Sequence, residues 1–267
     1  MKLSPIRRAN RLASIACVLL AALGTSALAA EPKPDILLKD KFVEVNVSFD
    51  AAIKADASLV KNLTTSGKAW AAKTFRDVSA LPKDGGDMPT RPEPPWAVER
   101  SYTQRTLVAG RYVSIIRSEY RFTGGAHPDR SSDTLLWDRR AKKMVSIRPF
   151  FTDLADNGEA MTAIRDAIVV DLKTEMKRRI PDDPNMSLID ALEPKLLKIG
   201  PASLMPSTIP GKSSGLTFYY SPYAVGSYAE GDYDAFVPWE KLKPYLSAEG
   251  SAIFAGERPK DDDKGPQ

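Results

Sequence analysis

Two long β-rich segments, residues 98–108 and 111–122, are joined only by Ala109-Gly110, and this pair most constrains the fold of the 267-residue chain. So short a connection predicts a hairpin whose two arms are antiparallel neighbours in one sheet. The second arm runs into Gly124-Gly125, and paired glycines let the backbone take positive φ and turn sharply. The turn is predicted to present His127, the single histidine, at the end of a strand.

Hydrophobic periodicity predicts the remaining elements. Alternating apolar residues at 41–49 indicate a half-buried strand, and leucines and aromatics recurring at helical spacing indicate a helix from Asp56 to Val78. A second helix, capped by Asp156 or Asn157, is predicted to run to Pro181. The same criteria predict strands at 133–138, 144–147, 216–220 and 233–237, a short helix at 187–198 and a last helical turn at 239–246. The expected fold is α+β, with a mixed, mainly antiparallel sheet and two or three packing helices, in one body or two lobes.

Composition and the positions of Pro- and Gly-rich stretches divide the chain into four segments. Residues 1–29 are typical of a secretory signal, with a basic start, an apolar stretch at 12–23 and Ala27-Leu28-Ala29 as cleavage site. Residues 30–97 hold the first strand, the first helix and a Pro/Gly-rich loop at 81–96. Residues 98–250 form the C-terminal domain, and the polar tail at 251–267 is expected to be disordered. The protein is therefore expected to be periplasmic or secreted, without a transmembrane anchor after cleavage.

The predicted signal contains the excess of basic residues and the only cysteine of the sequence. The full sequence has 38 Lys and Arg against 34 Asp and Glu, and four of the basic residues but no acidic ones lie in residues 1–29, so 34 of each remain. A neutral mature chain gives no support for nucleic-acid binding, which needs a surplus of Lys and Arg. The single cysteine, Cys17, also leaves with the signal, which excludes disulfides and thiol chemistry.

Catalytic motifs are scarce. One histidine with Asp129 and Asp133 supplies too few ligands for a typical metal site, and no cofactor is predicted. The sequence has no G-x-S-x-G elbow. The remaining enzymatic alternative is a cell-wall hydrolase that uses His127 with Asp129 or Asp133, and it requires an exposed histidine beside a carboxylate in an open cleft.

Two distant motifs resemble a known family. The first is Phe122-Thr123-Gly124-Gly125-Ala126-His127, followed by Asp138 and residues 145–151; the second is residues 218–223, followed by Tyr228-Ala229, Gly231 and residues 237–239. Both are similar to signatures of the extracytoplasmic domain of unknown function shared by RsiV-type anti-sigma factors and PdaC-type peptidoglycan deacetylases. The resemblance covers roughly residues 100–246, and residues 42–78 resemble the strand-plus-helix domain that precedes it. It departs from the family at Pro128, where glycine is usual, and at Ser227-Tyr228, where a Pro-Tyr pair is usual.

The resemblance implies an accessory domain, because the chain lacks both the sigma-binding and the deacetylase parts of those proteins. RsiV-type proteins bind lysozyme, so the implied function is an exported soluble binding module for a lysozyme-like protein or peptidoglycan. A structural envelope protein without a small ligand is a second alternative. The candidate binding residues are Gly124, Gly125, His127, Tyr223, Tyr228 and Gly231. Since both motifs follow aromatic strands and break into Gly- or Pro-containing turns, they are predicted to meet in space.

Overall fold

A six-stranded sheet, with its strands in chain order, is the largest element of the computed structural model, which describes residues 33–80, 95–182 and 184–263. All neighbouring strands are antiparallel except β2 and β3, which are parallel. Val108 pairs with Tyr112 at the predicted hairpin, which is thereby confirmed. The strands are β1 (Ile36–Lys39), β2 (Val43–Phe49), β3 (Trp96–Val108), β4 (Tyr112–Phe122), β5 (Asp129–Asp138) and β6 (Lys143–Val145).

The described residues also contain six α-helices and a second, three-stranded antiparallel sheet. The predicted α+β class is therefore confirmed. The second sheet has the order β7-β8-β9. Its strands are β7 (Ala202–Leu204), β8 (Gly215–Tyr220) and β9 (Tyr233–Pro238). The helices are α1 (Ala51–Lys54), α2 (Ala57–Ser79), α3 (Glu159–Arg179), α4 (Ser187–Asp190), α5 (Trp239–Leu242) and α6 (Ala248–Ile253).

The first core forms where α2 covers one face of the six-stranded sheet. The three valines of β2 at 43, 45 and 47 are fully buried, as their alternation predicts. Asp56 caps α2 by accepting hydrogen bonds from the backbone N–H groups of Ser58 and Leu59. Leu59, Leu63 and Ala71 are buried on the same side, so the predicted helical stripe faces this core.

The second core surrounds α3, whose predicted stripe is also buried. Its members on α3 are Met161, Ile164, Ile168, Leu172 and Met176. The predicted caps are wrong. Gly158 is the N-cap residue, because the side chain of Asp156 instead accepts from the backbone N–H of Leu196 and Asn157 takes a left-handed φ of 62°.

Two C-terminal predictions are also wrong. The helix expected at 187–198 ends at Asp190, shortly before Pro194, which disfavours helical backbone at the residue preceding it. The tail expected to be disordered from 251 is ordered as far as residue 263: Ile253 and Phe254 are buried in the second core. Beyond them, Asp262 lies in a short 3-10 helix and pairs with Arg105 at 2.5 Å.

The predicted signal at 1–29, residues 81–94 of the predicted loop and residues 264–267 of the predicted tail lie outside the described residues. From Lys33 onward the described chain is one compact unit with the two apolar cores. None of the helices in the described ranges combines the length and the apolar character needed to cross a bilayer.

Candidate functional site

The connection between β4 and β5 forms the first half of the candidate site. Gly124 and Gly125 take φ values of 90° and 107°, a region that only glycine adopts without strain, so the sharp turn depends on their lack of a side chain. The turn leaves His127 exposed immediately before β5, as the sequence predicts. The glycines therefore shape the backbone that presents the histidine.

The connection between β8 and β9 forms the second half. A 3-10 turn at Tyr228–Glu230 is held by a capping box, in which Ser227 and Glu230 satisfy each other's backbone N–H groups. Gly231 then leaves the turn with a φ of 75°. Earlier in the same connection, Tyr223 has a φ of 72° although it is not glycine, and its side chain is 59% exposed. Left-handed backbone at a bulky residue is strained, and such strain is found preferentially at functional sites.

The two connections meet, which confirms the prediction from the motifs. The ring of His127 stacks on Tyr228, with centroids 3.7 Å apart and planes inclined by 22°. His127 Nε2 lies 3.3 Å from the Tyr223 hydroxyl, and the Tyr228 hydroxyl donates to the Pro128 carbonyl at 2.7 Å. The three side chains, His127, Tyr223 and Tyr228, are called the aromatic cluster below.

The hydrolase alternative requires an exposed histidine beside a carboxylate, and this geometry meets only the first of these conditions. His127 is exposed, but its ring nitrogens face the Pro128 carbonyl, 3.2 Å from Nδ1, and the Tyr223 hydroxyl. Asp133 forms an ion pair with Arg117 across the β4–β5 ladder and is therefore engaged elsewhere. Within the described residues, Asp129 makes no hydrogen bond to the histidine, and no group of three metal-ligating side chains occurs.

A cavity of about 1020 Å³ lies beyond the residues that sequence patterns singled out. It separates part of the six-stranded sheet from the C-terminal half of α3 and from β9. Two polar positions of β2, Asn46 and Ser48, line it, although their alternation with apolar residues equally fits a solvated strand face. Sequence pattern cannot separate a solvated face from the floor of a polar cavity, because both need the same side chains.

The contact between the two connections leads to a stability prediction. We expect His127→Ala and Tyr223→Ala to be non-additive, with a coupling free energy of about 0.5 to 1 kcal/mol, since side chains in contact couple and distant ones add. A denaturant double-mutant cycle on the chain from residue 30 measures it. Tyr223→Ala combined with Ser66→Ala in α2 is the control pair and should be additive, and additivity of the His127 pair would contradict the observed contact.

Comparison with known proteins finds a match between part of the chain and a family of unknown function. Residues 152–240 match the family described as "Protein of unknown function (DUF3298)". The match includes the second motif at 218–231 but not the first at 122–127. No curated protein matches the chain.

Two crystal structures of DUF3298 family proteins are similar to this chain. One, from Pseudomonas aeruginosa PAO1, is 17% identical and has a TM-score of 0.45; the alignment covers 83% of this chain and 94% of the Pseudomonas chain. The other, from Bacteroides fragilis NCTC 9343, is 15% identical and has a TM-score of 0.46; the alignment covers 81% of this chain and 94% of the Bacteroides chain.

Proposed function

We propose that this chain is an exported binding module of the cell envelope that holds the glycan of peptidoglycan on the aromatic cluster. The observation that carries the proposal is the exposed ring of Tyr223, held out by strained backbone beside the stacked pair of His127 and Tyr228. A side chain kept exposed at a cost in backbone strain points to a contact outside the chain.

The chemistry of the cluster suits a sugar. Aromatic rings offer flat apolar faces for the C–H faces of a pyranose, while tyrosine hydroxyls and the imidazole offer hydrogen-bonding edges. The cluster stands on the connections between β4 and β5 and between β8 and β9, which are anchored in two sheets, and this keeps the rings positioned for a ligand. The typical secretory signal and the resemblance of both motifs to the RsiV-type and PdaC-type domain support an envelope partner.

A sedimentation assay with purified sacculi tests the proposal. We expect the chain from residue 30 to co-sediment with sacculi, and Tyr223→Ala to weaken binding about tenfold, the effect of losing one central aromatic contact. Leu197→Ala is the matched control, because Leu197 is an apolar side chain with 94% exposure that lies outside the cluster. It should leave binding unchanged.

The outcomes separate the alternatives. Binding to lysozyme but not to sacculi would replace the glycan with a lysozyme-like protein as partner. Retention by neither would overturn the proposal and leave a structural envelope protein. Equal weakening by Leu197→Ala and Tyr223→Ala would show adhesion that does not use the aromatic cluster, which also overturns the assignment.

A further inference from the structure

The polar cavity between the six-stranded sheet and α3 is a second candidate site, and it does not depend on the proposed function of the aromatic cluster. Its volume of about 1020 Å³ is at the upper end of the range for small-molecule sites, which is enough for a short peptide. Its floor is rich in hydroxyls from neighbouring strands, which can hydrogen-bond amides or alcohols. The floor hydroxyls include Ser48, Ser101, Thr103, Ser118 and Ser132.

Four of the five arginines that line the cavity, all except Arg130, are paired with carboxylates of the protein. Arg178 and Arg179 both pair with Glu175, at 2.6 and 2.7 Å. Arg179 also donates to the backbone carbonyls of Glu230 and Asp232. Arg258 pairs with Asp262 at 2.9 Å. An anionic ligand that used these guanidinium groups would therefore have to break existing pairs.

The carboxylates are in the opposite situation. Asp171, Asp232 and Asp234 line the cavity, and within the described residues none of the three takes part in an ion pair. Asp171 accepts one hydrogen bond, from the backbone N–H of Phe236 at 2.8 Å. Asp234 stands two positions before Phe236 on β9, so its backbone lies about 7 Å along the strand from the residue that binds Asp171.

A half-buried carboxylate outside any ion pair destabilises the folded chain, since its charge loses water and gains no cation in direct contact. Burial raises the pKa of Asp234 to about 6, with the neighbouring Asp232 acting in the same direction and Arg258, Arg105 and Arg179 opposing it. Burial also raises the pKa of Asp171. Perturbed carboxylates that face a cavity are characteristic of functional sites.

We propose that this cavity binds a primary ammonium group carried by a polar ligand of peptide size, with Asp234 and Asp171 as its counter-ions and the strand hydroxyls as hydrogen-bonding partners. Arg130 on β5 is exposed, lies 6.0 Å from the Tyr120 ring and, within the described residues, is the lining arginine that takes part in no ion pair. Arg130 acts on Asp232, whose pKa it lowers against the effect of burial, and Asp232 is therefore not one of the two counter-ions.

Isothermal titration with a defined peptide tests the site. The probe is N-acetyl-glycyl-lysyl-glycine amide, in which the lysine ammonium is the only charge, and its Nε-acetylated form is the matched ligand control. We expect the lysyl peptide to bind the chain from residue 30 at neutral pH and the acetylated peptide to bind at least tenfold more weakly. Spermidine, which has ammonium groups but no amides, is expected to bind more weakly than the lysyl peptide because it leaves the strand hydroxyls unused.

Two variants assign the binding to the cavity. We expect Asp234→Asn to weaken the lysyl peptide about tenfold and to remain folded, since it removes an unpaired charge while keeping the shape. Asp77→Asn, on α2 and outside the cavity, removes the same charge and should leave affinity unchanged. Wild-type binding is also expected to weaken as the pH falls through about 6, because protonation of Asp234 removes the counter-ion.

Each contrary outcome overturns the proposal. These are absence of binding at millimolar peptide, equal binding of the acetylated peptide, equal loss in Asp77→Asn and Asp234→Asn, or spermidine binding more tightly than the peptide. The sacculus assay uses the aromatic cluster and Tyr223→Ala, so failure of that function leaves these outcomes unaffected.

Discussion

Gly250→Ala is expected to destabilise the folded chain by about 3 kcal/mol or more. Gly250 lies in α6, where its Cα packs against the backbone of the 3-10 turn at Arg148–Phe150. An added Cβ would overlap the carbonyl oxygen of Phe150 and lie 2.9 Å from its carbonyl carbon. Because the obstruction is backbone, α6 has to move away as a unit, which opens the core around Ile253 and Phe254.

Gly67→Ala in α2 provides the matched control, since it is also a helical glycine at a packed interface. Its added Cβ would lie 3.2 Å from Ile36 Cδ1, the end of a flexible side chain that can shift. Alanine also gains up to about 1 kcal/mol of helix propensity over glycine, so the net change should be small. Denaturant unfolding compares both with wild type. A loss below 1 kcal/mol for Gly250→Ala would contradict the close approach of α6.

Asp138→Asn is the second large effect we expect, a loss of about 2 to 3 kcal/mol at neutral pH. The carboxylate is buried at the end of β5 and accepts from the Arg111 guanidinium through both oxygens, at 3.0 Å to Oδ1 and 2.6 Å to Oδ2. It also accepts from the backbone N–H groups of Arg140 and Ala141, which fixes the turn into β6. Asparagine keeps the shape but loses the charge-assisted pair and part of the acceptor capacity.

The pH dependence of this effect has a defined sign. The hydrogen bonds from Arg111 lower the pKa of Asp138 to about 2, against 3.8 in the unfolded chain. A depressed pKa contributes stability above the unfolded value, and that contribution of about 2 kcal/mol is lost as the pH falls from about 4 to about 2. The difference between wild type and Asp138→Asn in chemical unfolding should therefore shrink over that interval. A difference that is constant with pH would contradict the ionic role.

Sequence pattern was sufficient for elements whose residues repeat at one period. The valines of β2 and the apolar stripes of α2 and α3 each follow the spacing of the side they bury, so tertiary packing agrees with local pattern. The predictions were wrong where a contact with a residue distant in sequence determines the local structure. Asp156 fails to cap α3 because the backbone N–H of Leu196, 40 residues later, takes its carboxylate.

The same distinction applies to the sites. The meeting of His127 with Tyr223 could be predicted because both follow an aromatic strand and a Gly- or Pro-containing break. The cavity could not be predicted, because it depends on which side of the sheet α3 leaves uncovered. Ser118 and Ser132 are ordinary surface residues by sequence and become cavity floor only when α3 and β9 lie opposite them.

The parallel pairing of β2 with β3 has a consequence for the order of assembly. Strands β3 to β6 follow one another as local antiparallel neighbours, whereas Val43 of β2 has to find Trp96 across α1, α2 and the segment that follows. Closing that long loop costs more entropy than forming a hairpin. We therefore expect β2, which is synthesised before β3 to β6, to be the last of these strands to complete its pairing. In the interval α2 covers the valine face of β2, but the strand keeps one unpaired edge, which makes it the part of the growing chain most in need of protection from other strands.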